Sequence, residues 1–468
     1  MAQGKIFSPS GSPFVMHLRR RMLLLLAAAF VICAAAVGWR LVAGAAPQPL
    51  QPSASMSAQP ARPAQQVQPA QQAADRAAPD PVSAAQAQLR QRPDDPAAYA
   101  MLGLALLQKV RESYDTTLYA KAADAFDAAL QRDPQQIDAL VGRGTLALAL
   151  HDFHGALPIA DEVIRLNPYR AAGYGIRVDA LVELGRYPEA VAAAQQMVDL
   201  RPDLESYSRV SYLRELHGDP DGAIEAMRMA AAAAVPGSEP WLWTTTHLGN
   251  LYWGKGDLDA AEQIYRAVLR RRADYAYAQF GMARIDAARG DRPQAISLLR
   301  PLAARLPLPE FLIALGDLYA GLGDEQAAQE QYDLVRVIQQ LNAGAGMNVD
   351  LELAAFDVQH GDDVTATLAA ARAAYAERPT IYAADTLAWA LHRGGDDAAA
   401  SRYMQEALRL RTQDPLLHLH AAAIADSLGD ALAAEGHWAA AESINPYFST
   451  PSTPSSSHAA CAACPGTK

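Results

Sequence analysis

The chain has 468 residues, 51% of them hydrophobic and 19% charged, with a net charge of −11. Eight basic residues and one acidic residue lie outside residues 80–447, so the central region carries −18. That balance argues against nucleic-acid binding, which basic side chains drive by displacing counterions; it suits a basic or neutral partner, or serves only to keep an alanine-rich surface soluble.

Residues 1–21 end in Arg19, Arg20 and Arg21 and lead into an uncharged run from Met22 to Trp39, followed by Arg40. The run is long enough to span a bilayer, and the arginines place residues 1–21 in the cytoplasm. The reading is a single N-terminal transmembrane helix within 22–42, anchoring the chain in a bacterial-type inner (cytoplasmic) membrane with the remainder extracytoplasmic. The alternative is a signal sequence cleaved near Ala45, after the small residues Ala43-Gly44-Ala45, which would leave a secreted or periplasmic chain. Residues 43–82 are rich in Pro, Ala, Gln and Ser and read as a disordered tether.

From residue 83 to 447 the chain repeats itself. Pro134, Pro168, Pro202 and Pro236 stand 34 residues apart. A second series keeps the same beat: Gly185, then Gly218-Asp219, Gly256-Asp257, Gly290-Asp291, Gly323-Asp324, Gly361-Asp362, Gly395-Asp396 and Gly429-Asp430. Two stops per period split it into two short helices. The apolar spacing of Leu248, Gly249, Tyr252, Ala261, Ile264, Tyr265 and Val268 puts one stripe on each helix. A lone hairpin cannot bury such a stripe, so successive hairpins stack into an all-α solenoid without a sheet.

The copy Thr245, Leu248, Gly249, Tyr252, Gly256, Ala261 and Tyr265, and the copy Leu315, Gly316, Tyr319, Gly323, Ala328 and Tyr332, resemble the tetratricopeptide repeat. Nine turns of this type follow residue 137, after an irregular first copy with Tyr99, Leu102, Gly103, Ala122, Phe126 and Pro134, so the solenoid is expected to stack about nine to ten hairpins. The copy from Ile137 is degenerate, with His151-Asp152 where Gly is expected. Arg111 to Thr117 lengthens the first turn, and Pro236-Gly237-Ser238 and Leu341 to Met347 supply the longer periods, as joints between sub-stacks.

The resemblance implies that the first helix of each hairpin lines a concave wall. Projection onto that wall gives Trp243, Asn250, Trp253, Tyr277, Phe280, Arg284, Tyr382, Asp385, Trp389 and His392 as partner-binding residues. Rigid aromatics and Arg bury large area at small entropic cost, which suits capture of a protein or peptide segment. The competing reading is that these side chains only cover the joints between hairpins. No catalytic motif is present, and no cofactor is expected. Asp385 and His392 are two turns apart on one helix, too far for a direct proton relay. Residues 448–468 read as a disordered tail, in which His458, Cys461 and Cys464 offer three ligands where a structural zinc site wants four. The functional expectation is a non-catalytic, membrane-tethered scaffold that holds a partner segment in a concave groove. Two alternatives stand beside it: a self-associating structural protein that forms homo-oligomers, and an envelope polysaccharide binder.

Overall fold

A computed structural model describes residues 80–361 and 363–448. Among these residues there are twenty-one α-helices and no strand. The transmembrane expectation and most of the tether and tail lie outside them; at the described ends the chain is ordered earlier and later than expected, since a helix capped by Asp80 begins at Pro81 and Phe448 packs on Trp253. No helix among the described residues is long and apolar enough to cross a membrane.

After α1 (Pro81–Gln91) the chain forms ten hairpins. The first five pair α2 (Pro96–Ser113) with α3 (Leu118–Arg132), α4 (Ile137–Ala149) with α5 (Phe153–Leu166), α6 (Ala171–Glu183) with α7 (Tyr187–Leu200), α8 (Leu204–Leu216) with α9 (Pro220–Ala233), and α10 (Glu239–Gly254) with α11 (Leu258–Arg271). The second five pair α12 (Ala276–Ala288) with α13 (Arg292–Arg305), α14 (Pro309–Ala320) with α15 (Glu325–Gly344), α16 (Asp350–His360) with α17 (Val364–Glu377), α18 (Ile381–Arg393) with α19 (Asp397–Ala407), and α20 (Pro415–Ser427) with α21 (Ala431–Ile444).

The Gly-Asp pairs explain the turns. In hairpin 4, Gly218 takes the left-handed conformation (φ 72), and Asp219 then accepts a hydrogen bond from the Gly222 N–H and so caps α9. Asp257, Asp291, Asp324, Asp396 and Asp430 cap their helices in the same way. Where the repeats cross, Ala122, Ala156, Ala190, Ala223, Ala261 and Ala295 are fully buried, and their small side chains let neighbouring helices close up. Tyr265 is fully buried between Gly249 and Gly281, where a Cβ on either glycine would overlap its ring.

The solenoid closes on itself. The Tyr187 hydroxyl accepts from the Ile381 N–H at 3.0 Å, Thr412 donates its hydroxyl to the Leu216 carbonyl, and Asn445 donates its amide to the Trp253 carbonyl at 2.9 Å. His151 Nδ1 lies 2.9 Å from the Asn348 carbonyl, to which it donates, and the Asn348 N–H bonds Leu150. The partners stand 192 to 198 residues apart, so the turn of each of hairpins 2–5 meets the loop that follows the fifth hairpin further on. Arg378, 3% exposed, reinforces this seam by reaching Glu183 at 3.5 Å and Glu352 at 3.1 Å.

The seam accounts for two irregularities. His151 holds the left-handed position (φ 58) that glycine fills elsewhere, at a cost of roughly 1–2 kcal/mol, and its bond to Asn348 is the compensation. Leu341 to Met347 does not loosen the stack: α15 extends to Gly344, and Met347 and Val349 then pack into the core of hairpins 1 and 2 beside Val110 and Tyr119. Across Pro236-Gly237-Ser238, α9 and α10 remain packed together.

Candidate binding groove

First helices pack directly on one another in hairpins 1 to 4, in 5 and 6, and in 8 to 10, and line the inner side of the stack. On hairpins 5 to 7 that wall is aromatic and largely engaged within the chain. Tyr277 meets the edge of Phe311 at 5.7 Å and Tyr114 at 6.4 Å, the latter delivered from the lengthened turn of hairpin 1; Phe280 packs on Phe311 at 4.9 Å. Burial, followed by the Glu310 carboxylate, holds the Tyr277 hydroxyl well above its usual range. Burial also raises Glu310 to about 7, and its Oε2 has no hydrogen-bond partner.

Trp253 carries the Arg284 guanidinium on its ring at 3.4 Å, and Phe448 meets its edge at 6.3 Å. Trp243 stacks on His247 at 4.0 Å, where burial drops the imidazole to about 4. Asn250 accepts a 2.7 Å bond from the Tyr265 hydroxyl and so ties α10 to α11.

The second cluster belongs to hairpins 9 and 10. Trp389 lies between two imidazoles, His420 at 4.1 Å and His392 at 4.8 Å. His420 pairs with Asp385 at 2.9 Å and His392 with Asp397 at 2.6 Å, so Asp385 and His392 act in separate pairs. Tyr382 is different. It is 37% exposed, yet burial, then Asp414 and Glu215, raises its hydroxyl well above the usual value. Burial and Asp414 raise Glu215 to about 7, and burial raises Asp414 to about 6.

Sequence reasoning missed Glu215, Asp414, His420 and Tyr114. Asp385 and His420 stand 35 residues apart, and the buried pair Asp179 and Arg209, joined at 2.7 Å, stand 30 apart. Opposite polar residues about one period apart on successive first helices were therefore a readable signal. Tyr114 sits in an insertion and gave none.

The tetratricopeptide repeat family model matches residues 109–171, 141–205, 177–239 and 241–274. Among curated proteins, the cellulose synthase 1 operon protein C of Komagataeibacter xylinus is 25% identical over 197 residues, 42% of this chain and 13% of that protein, so the match spans only a small part of the relative's length. Among solved structures, a human IFIT1 dimer with PPP-AAAA is 16% identical over 68% of this chain and 73% of its own, at a TM-score of 0.45. A tetratricopeptide-repeat protein of Thermus thermophilus is 22% identical over 38% and 92%, at 0.34. Residues 109–239 and 241–274 are therefore tetratricopeptide repeats.

Proposed function

We propose that the chain is a non-catalytic adaptor, tethered to a membrane through residues 22–42, that captures a segment of another protein on its inner wall in the extracytoplasmic space. The observation that carries this reading is the patch of Tyr382, Glu215 and Asp414. It combines an accessible aromatic ring with two carboxyl groups whose charged forms burial disfavours and a nearby cation would favour. A segment presenting Lys or Arg beside an apolar residue would supply that cation and cover the ring. The aromatics of hairpins 5 to 7 then serve mainly as internal packing.

Crosslinking and co-purification of the full chain beside a Tyr382→Ala, Glu215→Gln variant tests this. Loss of one captured protein, with the helical signal unchanged, is the expected result; identical capture by both chains would sink the reading. A second reading, polysaccharide binding, draws on the partial similarity to a cellulose synthase operon protein. It predicts tryptophan quenching by soluble glucan, which a peptide-binding groove would not show.

A further inference from the structure

The seam uses only half of the molecule's edges. A Cβ added at Gly218 would overlap the Arg411 carbonyl, and one at Gly185 the Pro379 carbonyl, whereas at Gly290, Gly323, Gly395 and Gly429 nothing among the described residues lies within 4 Å. The turns of the later hairpins thus form a free rim. The loops that follow hairpins 1 to 5 form another, on which Tyr169 is 81% and Val235 54% exposed.

The two rims differ in charge. The turn rim carries exposed Asp324, Glu325, Asp363, Asp396, Asp426 and Asp430. On the loop rim Arg132, Arg165, Arg201, Arg270, Arg271 and Arg272 are exposed; Arg165 and Arg201 pair with Glu162 and Asp203, whereas Arg270 and Arg271 have no acidic partner among the described residues. Apolar side chains accompany the acids: Leu322 is 52%, Leu428 48% and Leu432 82% exposed.

We propose that the free turn rim of one copy receives the free loop rim of a second copy, head to tail, as a continuation of the seam that each chain already makes with itself. Carrying the same five-hairpin offset, from each turn to the loop that follows, into the next copy sets five turns against five loops. The Leu428-Gly429-Asp430 turn then meets Arg270 to Arg272, and the Leu322 turn meets the loop of Tyr169, so acid faces base and apolar faces apolar. Such an interface is heterologous and does not close on itself, so association continues past the dimer. A second copy is favoured over an unrelated partner because both complementary surfaces, and the register that joins them, are already present in one chain. The inference is independent of the groove reading.

The test is sedimentation velocity of the full chain in detergent over a range of concentrations and salt. One variant reverses the turn rim with Glu325→Lys and Asp426→Lys, neither of which caps a helix; another reverses the loop rim with Arg270→Glu and Arg271→Glu. The parent should form a concentration-dependent series of species that weakens with salt. Each variant alone should associate about tenfold more weakly or worse, and their equimolar mixture should recover association, because opposite charges again face each other. A parent that stays monomeric, or a closed dimer that neither reversal affects, would overturn the proposal, while leaving the groove reading standing.

Discussion

The turns of hairpins 3 to 5 and those of hairpins 6, 7, 9 and 10 share a local design, a left-handed glycine at the end of the first helix, yet their surroundings differ. The early turns are roofed by the loop that follows the fifth hairpin further on; among the described residues the late turns face open space. Identical local chemistry therefore has two energetic meanings. In the late turns the glycine only relieves backbone strain, whereas in the early ones it also makes room for a neighbouring backbone. What decides is the position of a hairpin in the superhelix, not its own sequence.

The largest break in this comparison should come from Arg378. Replacing it with Met strands Glu183 and Glu352 in the seam, and a loss of about 3–5 kcal/mol is expected in urea unfolding. Arg289→Met, which removes an exposed arginine paired with Asp259 and Glu262 on the outer surface, should cost about 1 kcal/mol or less.

Next comes the glycine comparison. Gly218→Ala combines a left-handed alanine with overlap on the Arg411 carbonyl and should cost about 2–4 kcal/mol, against about 1 kcal/mol for Gly395→Ala. Equal losses would mean that the seam does not bear on the turn.

Glu310 gives a pH-dependent difference. Its folded pKa of about 7 lies above the unfolded value of 4.5, so the folded state prefers the protonated acid. The destabilisation is absent below the unfolded pKa, grows as pH rises toward 7 and is constant above it. Glu310→Gln should therefore be more stable than the parent by up to about 3 kcal/mol at pH 8, with most of the advantage gone by pH 4.5. Thermal melts across that window check the sign.

The smallest contrast is at the caps. Asp257→Ala and Asp430→Ala each remove a side-chain bond to the N–H three residues on, and each should cost about 1 kcal/mol. Capping is local, so the docked and the free turn should agree within about 0.5 kcal/mol.

The hairpins were legible in the sequence because each is built from short-range rules: a glycine that permits a left-handed turn, an aspartate that caps, a proline that stops. The seam was not. It depends on small rotations summed over six hairpins, and no single period records them. His151 looked like decay of the repeat, and only the Asn348 carbonyl explains it. Trp253 and Tyr277 lie on first helices, but what covers them, Phe448 and Tyr114, comes from remote parts of the chain. Asp385 was legible as a polar residue facing inward, and its partner His420 was one period away.

Closure of the superhelix is the central claim, and a distance across the seam tests it most directly. His154 and Glu377 are both exposed and approach to 3.5 Å although 223 residues separate them. Spin labels at these two positions, with Cys33, Cys461 and Cys464 replaced by Ser, would be measured by pulsed dipolar spectroscopy. A closed superhelix gives a narrow distribution at the short end of the accessible range. A long or broad distribution, as an open spiral with separated turns would give, would contradict it.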